Sequence, residues 1–135
     1  MRLYGTIQLS RWDMECINSA LVYVDQHYRR PISADHLSLE VNLSKEKLQK
    51  GIQQKTGLTL HVHILKVRTE KAKELLRETD HPLKSIAAAT GFKRASHFID
   101  IFKRFHSLTP NQYRRQMSGS ERCGQYDTGR LVPGR

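Results

Sequence analysis

Apolar residues recur along this chain at intervals of three and four, and almost nowhere alternate one in two. That rhythm belongs to helices with one buried face. Met14, Ile17, Leu21, Val24 and Tyr28 make the first stripe and predict a helix from about Asp13 to His27, with Ser10 or Asp13 as its cap. Arg29-Arg30-Pro31 ends it, because proline lacks an amide donor and restricts the residue before it. A short second helix follows, capped by Ser33, with His36 where a full capping box would have Glu or Gln. Leu37 and Val41 face inward, and Asn42, a residue that tolerates a left-handed backbone, makes the turn. Leu43 returns to the core. Ser44 then caps a helix from Lys45 to Lys55 that buries Leu48 and Ile52 and stops at Gly57. The next helix is longer, about Leu60 to Arg77, with Ile64, Arg68, Ala72 and Leu75 on one face and Leu65 and Leu76 beside it.

After the break at Thr79-Asp80-His81-Pro82 the pattern repeats. Ser85 to Ala89 is a short helix with Ile86 and Ala87 inward, Gly91 is the turn residue, and Phe92 is the apolar anchor. Ala95 to Phe105 is the following helix, burying Phe98 and Phe102, with Ile99 and Ile101 flanking. Leu108-Thr109-Pro110 leads into a final turn or short helix that holds Tyr113. The one stretch with strand-like alternation, Leu3 to Leu9, is expected to be a frayed terminus. The fold class is therefore all-α, about seven helices, built as two helix-turn-helix subdomains joined by a long linker helix. The expected division is 1–11 as an extension, 12–58 and 79–116 as the two subdomains, 59–78 as the linker helix, and 117–135 as an unstructured tail. That tail carries Gly119, Gly124, Gly129 and Gly134 with little apolar support.

The linker of eighteen residues spans about 27 Å at 1.5 Å per residue. Two recognition helices on one chain enter successive major grooves when they lie about one turn of DNA, roughly 34 Å, apart. Charge sharpens this. The chain has 135 residues, with Lys plus Arg at 23 against Asp plus Glu at 13, a formal net charge of +10. Such a balance in a small chain points to a polyanion, most simply nucleic acid. No apolar run approaches the roughly 18 residues of a membrane span, and no secretory signal is visible. Cys16 and Cys123, at opposite ends, are no disulfide framework and fit a reducing compartment.

Specific residues go further. Ser44–Gly57, Val67-Arg68-Thr69-Glu70-Lys71-Ala72-Lys73-Glu74-Leu75-Leu76, Ile86-Ala87-Ala88-Ala89-Thr90-Gly91-Phe92, Phe98-Ile99-Asp100-Ile101-Phe102-Lys103-Arg104-Phe105 and Leu108-Thr109-Pro110-Asn111-Gln112-Tyr113-Arg114 together resemble the DNA-binding domain of AraC/XylS-type transcription regulators. The resemblance covers about Trp12 to Arg115, and the length is similar to the single-domain MarA/SoxS-like members. It implies double-stranded DNA as partner, an asymmetric site bound by a monomer or weak dimer, and activation through RNA polymerase in the cytoplasm, at the bacterial nucleoid. Most members add a sensor domain, and none is visible here. Four residues depart from the family pattern. Asn42 and Ser107 stand where glycine is usual, and Gly51 stands mid-helix where a larger apolar residue is usual. Asp100 stands where several members have a DNA-contacting arginine. Gly51 costs about 1 kcal/mol in helix propensity and permits close approach of another helix. Asp100 repels phosphate but accepts from a cytosine amine.

With Leu48 and Ile52 inward, Glu46, Gln49, Lys50 and Gln53 lie outward as base-reading candidates. By resemblance the first three hold base-contacting positions. In the second unit Ser96, His97 and Asp100 are the corresponding candidates. Phosphate candidates are Lys45, Lys93, Arg94, Lys103, Arg104, Arg114 and Arg115. Lys93 and Arg94 stand at a helix start, where they oppose the dipole but suit a phosphate. Arg68 reads as half-buried, its stem packed. Trp12 and Cys16 read as core, as do Phe92, Phe98, Phe102 and Phe105. The histidines show no ligand spacing, and no nucleophile triad, CxxC or P-loop stands out. No cofactor, metal or enzymatic activity is expected. Two other readings stay open: a C-terminal DNA-binding piece of a larger effector-responsive regulator, and an interaction module that has lost specific DNA reading. Leu131-Val132-Pro133-Gly134-Arg135 vaguely resembles a protease linker, and Cys123 would be an exposed thiol.

Overall fold

The computed structural model describes residues 8–122, and those residues contain seven helices and no strand. They are α1 (Arg11–His27), α2 (Ala34–Glu40), α3 (Lys45–Thr56), α4 (Leu60–Glu78), α5 (Leu83–Ala89), α6 (Ala95–His106) and α7 (Pro110–Arg122). The chain separates into two compact units that meet in sequence between Val67 and Arg68, inside α4.

The first unit holds α1 to α3 and the opening turns of α4. Ser10, not Asp13, caps α1: its hydroxyl accepts from the Asp13 amide while the Asp13 carboxylate accepts from the Ser10 amide. Both orphan donors are thereby satisfied. The buried stripe of α1 is Asp13, Cys16, Ile17, Ala20 and Val24. It packs with Leu37, Leu43, Leu48, Ile52, Leu60 and Ile64 into one core. Trp12 departs from the expectation. It is 64% exposed, whereas Cys16, one turn on, is buried. The reason is local: an ion pair of 3.2 Å between Asp13 and Lys47 occupies this end of the α1–α3 seam, where an indole was expected.

Gly51 explains itself in the same seam. It is buried, and a Cβ added there would fall onto Cγ1 and Cδ1 of Ile17. Its missing side chain lets α1 and α3 close together.

The second unit holds the rest of α4 with α5 to α7. Its core is Ala72, Leu76, Ile86, Ala87, Phe92, Phe98, Ile101, Phe102 and Tyr113. Phe98 and Phe102 stack at 5.8 Å near-perpendicular, and Phe102 meets Tyr113 at 5.7 Å. Phe105 is only half-buried. The buried Thr90 hydroxyl donates to Ile86 O at 2.8 Å, and the buried Thr69 hydroxyl meets His106 Nε2 at 3.1 Å. Arg68 is half-buried, with its guanidinium carbon 5.9 Å from the centre of the Phe92 ring, and burial lowers its pKa. Helix α5 starts two residues before the expected Ser85, because Pro82 already holds φ at -66°.

The last helix is longer than a turn. Thr109 and Gln112 form a reciprocal capping box and Tyr113 anchors it. Once nucleated it propagates cheaply, through 118–122, a stretch expected to lack structure. The expectations for Leu3 to Ile7, Cys123 and the glycine-rich end lie outside the described residues.

Candidate nucleic-acid interface

Each unit builds the same turn. In the first, α2 ends at Val41 (φ -106°, ψ 8°), Asn42 takes φ 57°, and the Leu43 amide reaches back to Ser38 O at 3.0 Å. In the second, α5 ends at Thr90 (φ -105°, ψ 6°), Gly91 takes φ 99°, and the Phe92 amide reaches Ala87 O at 2.9 Å. Asn42 is one of the few non-glycine types that adopt this backbone without large cost. The helices that follow, α3 and α6, both have 12 residues and both stop on a left-handed residue, Gly57 (φ 78°) and Ser107 (φ 64°). One difference separates the turns. Ser44 alone lies between Leu43 and α3, while Lys93 and Arg94 lie between Phe92 and α6. The second unit thus carries one extra residue there, in a basic pair.

The common frame fixes equivalent positions, fifty residues apart. Leu48 and Ile52 of α3 are buried, as are Phe98 and Phe102 of α6. On the outward side of α3, Glu46, Gln49, Lys50 and Gln53 form one ridge at helical spacing; Lys50 is half-buried and the other three are exposed. The equivalent ridge of α6 is Ser96, Ile99, Asp100 and Lys103. Ser96, Asp100 and Lys103 are exposed and Ile99 is half-buried. Ile99 was absent from the sequence-derived candidates; the register of the repeat would have found it. His97 is exposed, with its ring 5.6 Å from Phe92. It falls at the position of Lys47, to one side of the ridge. The two ridges share a backbone and differ in chemistry: Lys50 in one stands where Asp100 stands in the other.

Several charged candidates have partners within their own unit. Lys45 is 3.1 Å from Asp35. Arg104 is 3.8 Å from Asp100, one turn away, with side chains 73% and 63% exposed, so solvent keeps that pair weak and releasable. Arg114 is placed differently. Its guanidinium donates to three backbone carbonyls, Leu76 O at 3.3 Å, Thr79 O at 3.2 Å and His81 O at 2.7 Å. It satisfies the Leu76 carbonyl in the last turn of α4, where carbonyls otherwise lack partners, and ties down the segment after the helix through Thr79 and His81. Lys50, Lys93, Arg94, Lys103 and Arg115 make no ion pair among the described residues. Arg94 caps α6 without a side-chain hydrogen bond, leaving its side chain available to the solvent side.

Two titratable groups off the ridges are shifted by their surroundings. The Asp13 carboxyl is held below its ordinary value, chiefly by the Ser10 amide and further by Lys47, against the opposing effect of its own burial. Burial and Lys66 lower the His63 pKa, with Asp25 acting against them. Among the described residues no group of three or more His, Cys, Asp or Glu is placed to hold a metal ion. No described helix is long and apolar enough to cross a membrane.

Two helix-turn-helix units, each presenting a polar ridge on its second helix, define a DNA-binding domain of the double helix-turn-helix class. A sequence model described as a helix-turn-helix domain matches residues 37–116. The chain is 30% identical over 114 residues to a probable transcriptional regulator, LumQ, of Photobacterium leiognathi, covering 84% of this chain and 45% of that protein. It is 30% identical over 99 residues to the HTH-type transcriptional activator RhaS of Klebsiella pneumoniae, covering 73% of this chain and 36% of that one. Among solved structures, the C-terminal domain of AraT, a response regulator from Geobacillus stearothermophilus, matches with a TM-score of 0.70 at 30% identity, covering 82% of this chain and 88% of that one. The chain belongs to the AraC-type helix-turn-helix family of DNA-binding transcription regulators. It spans less than half the length of the curated relatives it matches.

Proposed function

We propose that this chain reads an asymmetric double-stranded DNA site of two boxes, α3 entering the major groove at one box and α6 entering the next. The observation that carries the reading is the duplicated turn with two chemically different ridges. One chain with identical ridges would suit a repeated site; these two suit unlike half-sites.

In the first box Gln49 pairs with adenine, Lys50 with guanine or a phosphate, and Glu46 and Gln53 complete the ridge. In the second, Asp100 accepts from a cytosine amine, Ile99 packs on a thymine methyl, and Ser96 adds a hydrogen bond, with His97 at the side. Lys93, Arg94, Lys103 and Arg115 hold phosphates, and Lys45 and Arg104 join them when their exposed ion pairs open. Arg114 is left out of this set because three of its five N–H donors are engaged by the carbonyls of Leu76, Thr79 and His81.

The same reading takes the chain as a regulator without catalytic role, working in the cytoplasm at the nucleoid. It binds as a monomer or weak dimer, with RNA polymerase as protein partner. The share of the curated relatives that is covered is equally compatible with a second reading, that these residues are the C-terminal DNA-binding part of a longer effector-responsive regulator.

The test is selection from a random duplex library, then anisotropy titration of the selected duplex against a scrambled one at several salt concentrations. A two-box site with at least roughly 100-fold preference supports the reading. Enrichment of a single box would confine reading to one unit. Equal affinity for both duplexes would refute specific recognition and leave a protein-interaction module.

A further inference from the structure

A cleft of about 440 Å³ opens in the first unit beside the α3 ridge, lined by Ile32, Ala34, Leu60 and Ile64 together with Gln49, Lys50, Gln53, Thr59 and His61. Its lining divides by chemistry. Ile32, Ala34, Leu60 and Ile64 offer an apolar floor that a sugar-phosphate backbone does not match. The rim carries Lys50, which has no ion pair among the described residues. Helix α4 also begins there. Thr59 Oγ1 accepts from the Val62 amide at 3.3 Å and Thr59 O from the His63 amide at 2.8 Å, while the Leu60 and His61 amides have no intrahelical acceptor and favour negative charge. A pocket of this size, with an apolar floor and a few convergent polar groups, is the usual form of a small-molecule site.

We propose that this cleft binds a small monocarboxylate with an apolar body, the carboxylate meeting Lys50 and the start of α4 and the body lying on Ile32, Ala34, Leu60 and Ile64. Because Gln49, Lys50 and Gln53 line the cleft and also form the α3 ridge, the occupied cleft and the bound first box exclude each other. The acid is therefore a competitive inhibitor of DNA binding. This competition rests on the reading of α3 given above; the binding site itself does not.

Octanoate and 4-ethylbenzoate, an aliphatic and an aromatic acid, serve as probes, with 1-octanol as the uncharged control and sodium chloride holding ionic strength constant. In amide-resolved NMR of the full chain without DNA, at least one acid gives saturable shifts centred on Gln53, His61 and Ile64, and 1-octanol gives weaker ones. The acid that binds identifies the body the floor prefers. Lys50→Ala weakens the acid by about tenfold or more. Ala34→Leu fills the floor and blocks the acid while leaving DNA affinity, measured without acid, unchanged. The acid raises the apparent Kd for the selected duplex by the factor expected for simple competition, about twofold at its own dissociation constant, and Ala34→Leu abolishes that rise. Absence of saturable shifts with both acids, or equal binding of 1-octanol, would overturn the site. Acid binding that leaves the duplex titration unchanged would overturn the exclusion. The wild-type titration without acid tests the DNA reading separately, so the two failures remain distinct.

Discussion

Gly51→Ala sets two effects against each other inside one seam. Alanine removes the penalty of a mid-helix glycine, about 0.8–1.0 kcal/mol, and by propensity alone would stabilise α3. Its methyl, however, lands on Cγ1 and Cδ1 of Ile17 and 3.5 Å from Leu9 Cδ1. Extra methyls in filled cores cost about 1–3 kcal/mol. Ile17 is fully buried between the helices, so its displaced side chain has no solvent to enter, which places the cost in the upper part of that range. The net expectation is a destabilisation of about 1–2 kcal/mol, or about 4 °C or more in Tm for a unit of this size. Thermal and urea unfolding followed by far-UV circular dichroism measure it. Fluorescence of Trp12, the single tryptophan and a residue of α1, reports the first unit. Ile17→Ala alone should cost about 2–5 kcal/mol, but at least about 1 kcal/mol less when combined with Gly51→Ala, since the new methyl then occupies the vacated space. A neutral or stabilising Gly51→Ala, or strictly additive costs in the double variant, would refute the claim that the missing Cβ sets the α1–α3 approach.

Lys93→Ala and Arg94→Ala should each weaken the selected and scrambled duplexes alike and reduce the salt slope by about 1, read by anisotropy at several salt concentrations. Asp100→Asn should relax or switch base preference at one position of the second box, a discrimination of about 1–3 kcal/mol, in a repeat selection. Arg114→Ala should lower the unfolding stability of the second unit by about 1–3 kcal/mol, for the carbonyls of Leu76, Thr79 and His81 that lose a donor, with no change in the salt slope for DNA. Asp13→Asn should lower Tm at neutral pH. Because the Asp13 carboxyl is held below its ordinary value of 3.8, its contribution is complete above that pH and disappears as the pH falls through the lowered value. The Tm gap between wild type and variant should therefore close in acid, and a gap that persists unchanged there would rule out the charged pair with Lys47.

Local signals in the sequence determined a large part of this protein. Periodicity of three and four placed α1 to α6, and capping serines at positions 33 and 44 marked two helix starts, while for α1 the sequence offered Ser10 and Asp13 alike. Asn42, Gly57 and Gly91 marked turns because each permits a left-handed backbone that most residues resist. These are interactions within a few residues of chain, so the order of residues is enough to fix them. The outward ridge of α3 follows in the same way, as the complement of Leu48 and Ile52.

Tertiary structure decided what distant segments do to each position. Trp12 shares a helical face with Cys16, yet only Cys16 is covered, because the Asp13–Lys47 pair joins residues 34 apart in sequence at that end of the seam. Arg114 has the charge of a phosphate ligand, and only the approach of α7 to the end of α4 shows three of its donors engaged. Ile99 looked like a flank of the core until the shared frame of the two turns gave it the position in α6 that Gln49 has in α3. Gly51 announced a close approach from sequence, but the partner, Ile17 of α1, emerged from packing. The cleft beside Lys50 is likewise assembled from α2, α3, α4 and the residues leading into α2 and α4. Periodicity tells which way a side chain points. Which neighbour covers it, pairs with it or leaves it to solvent depends on contacts between segments far apart in the chain.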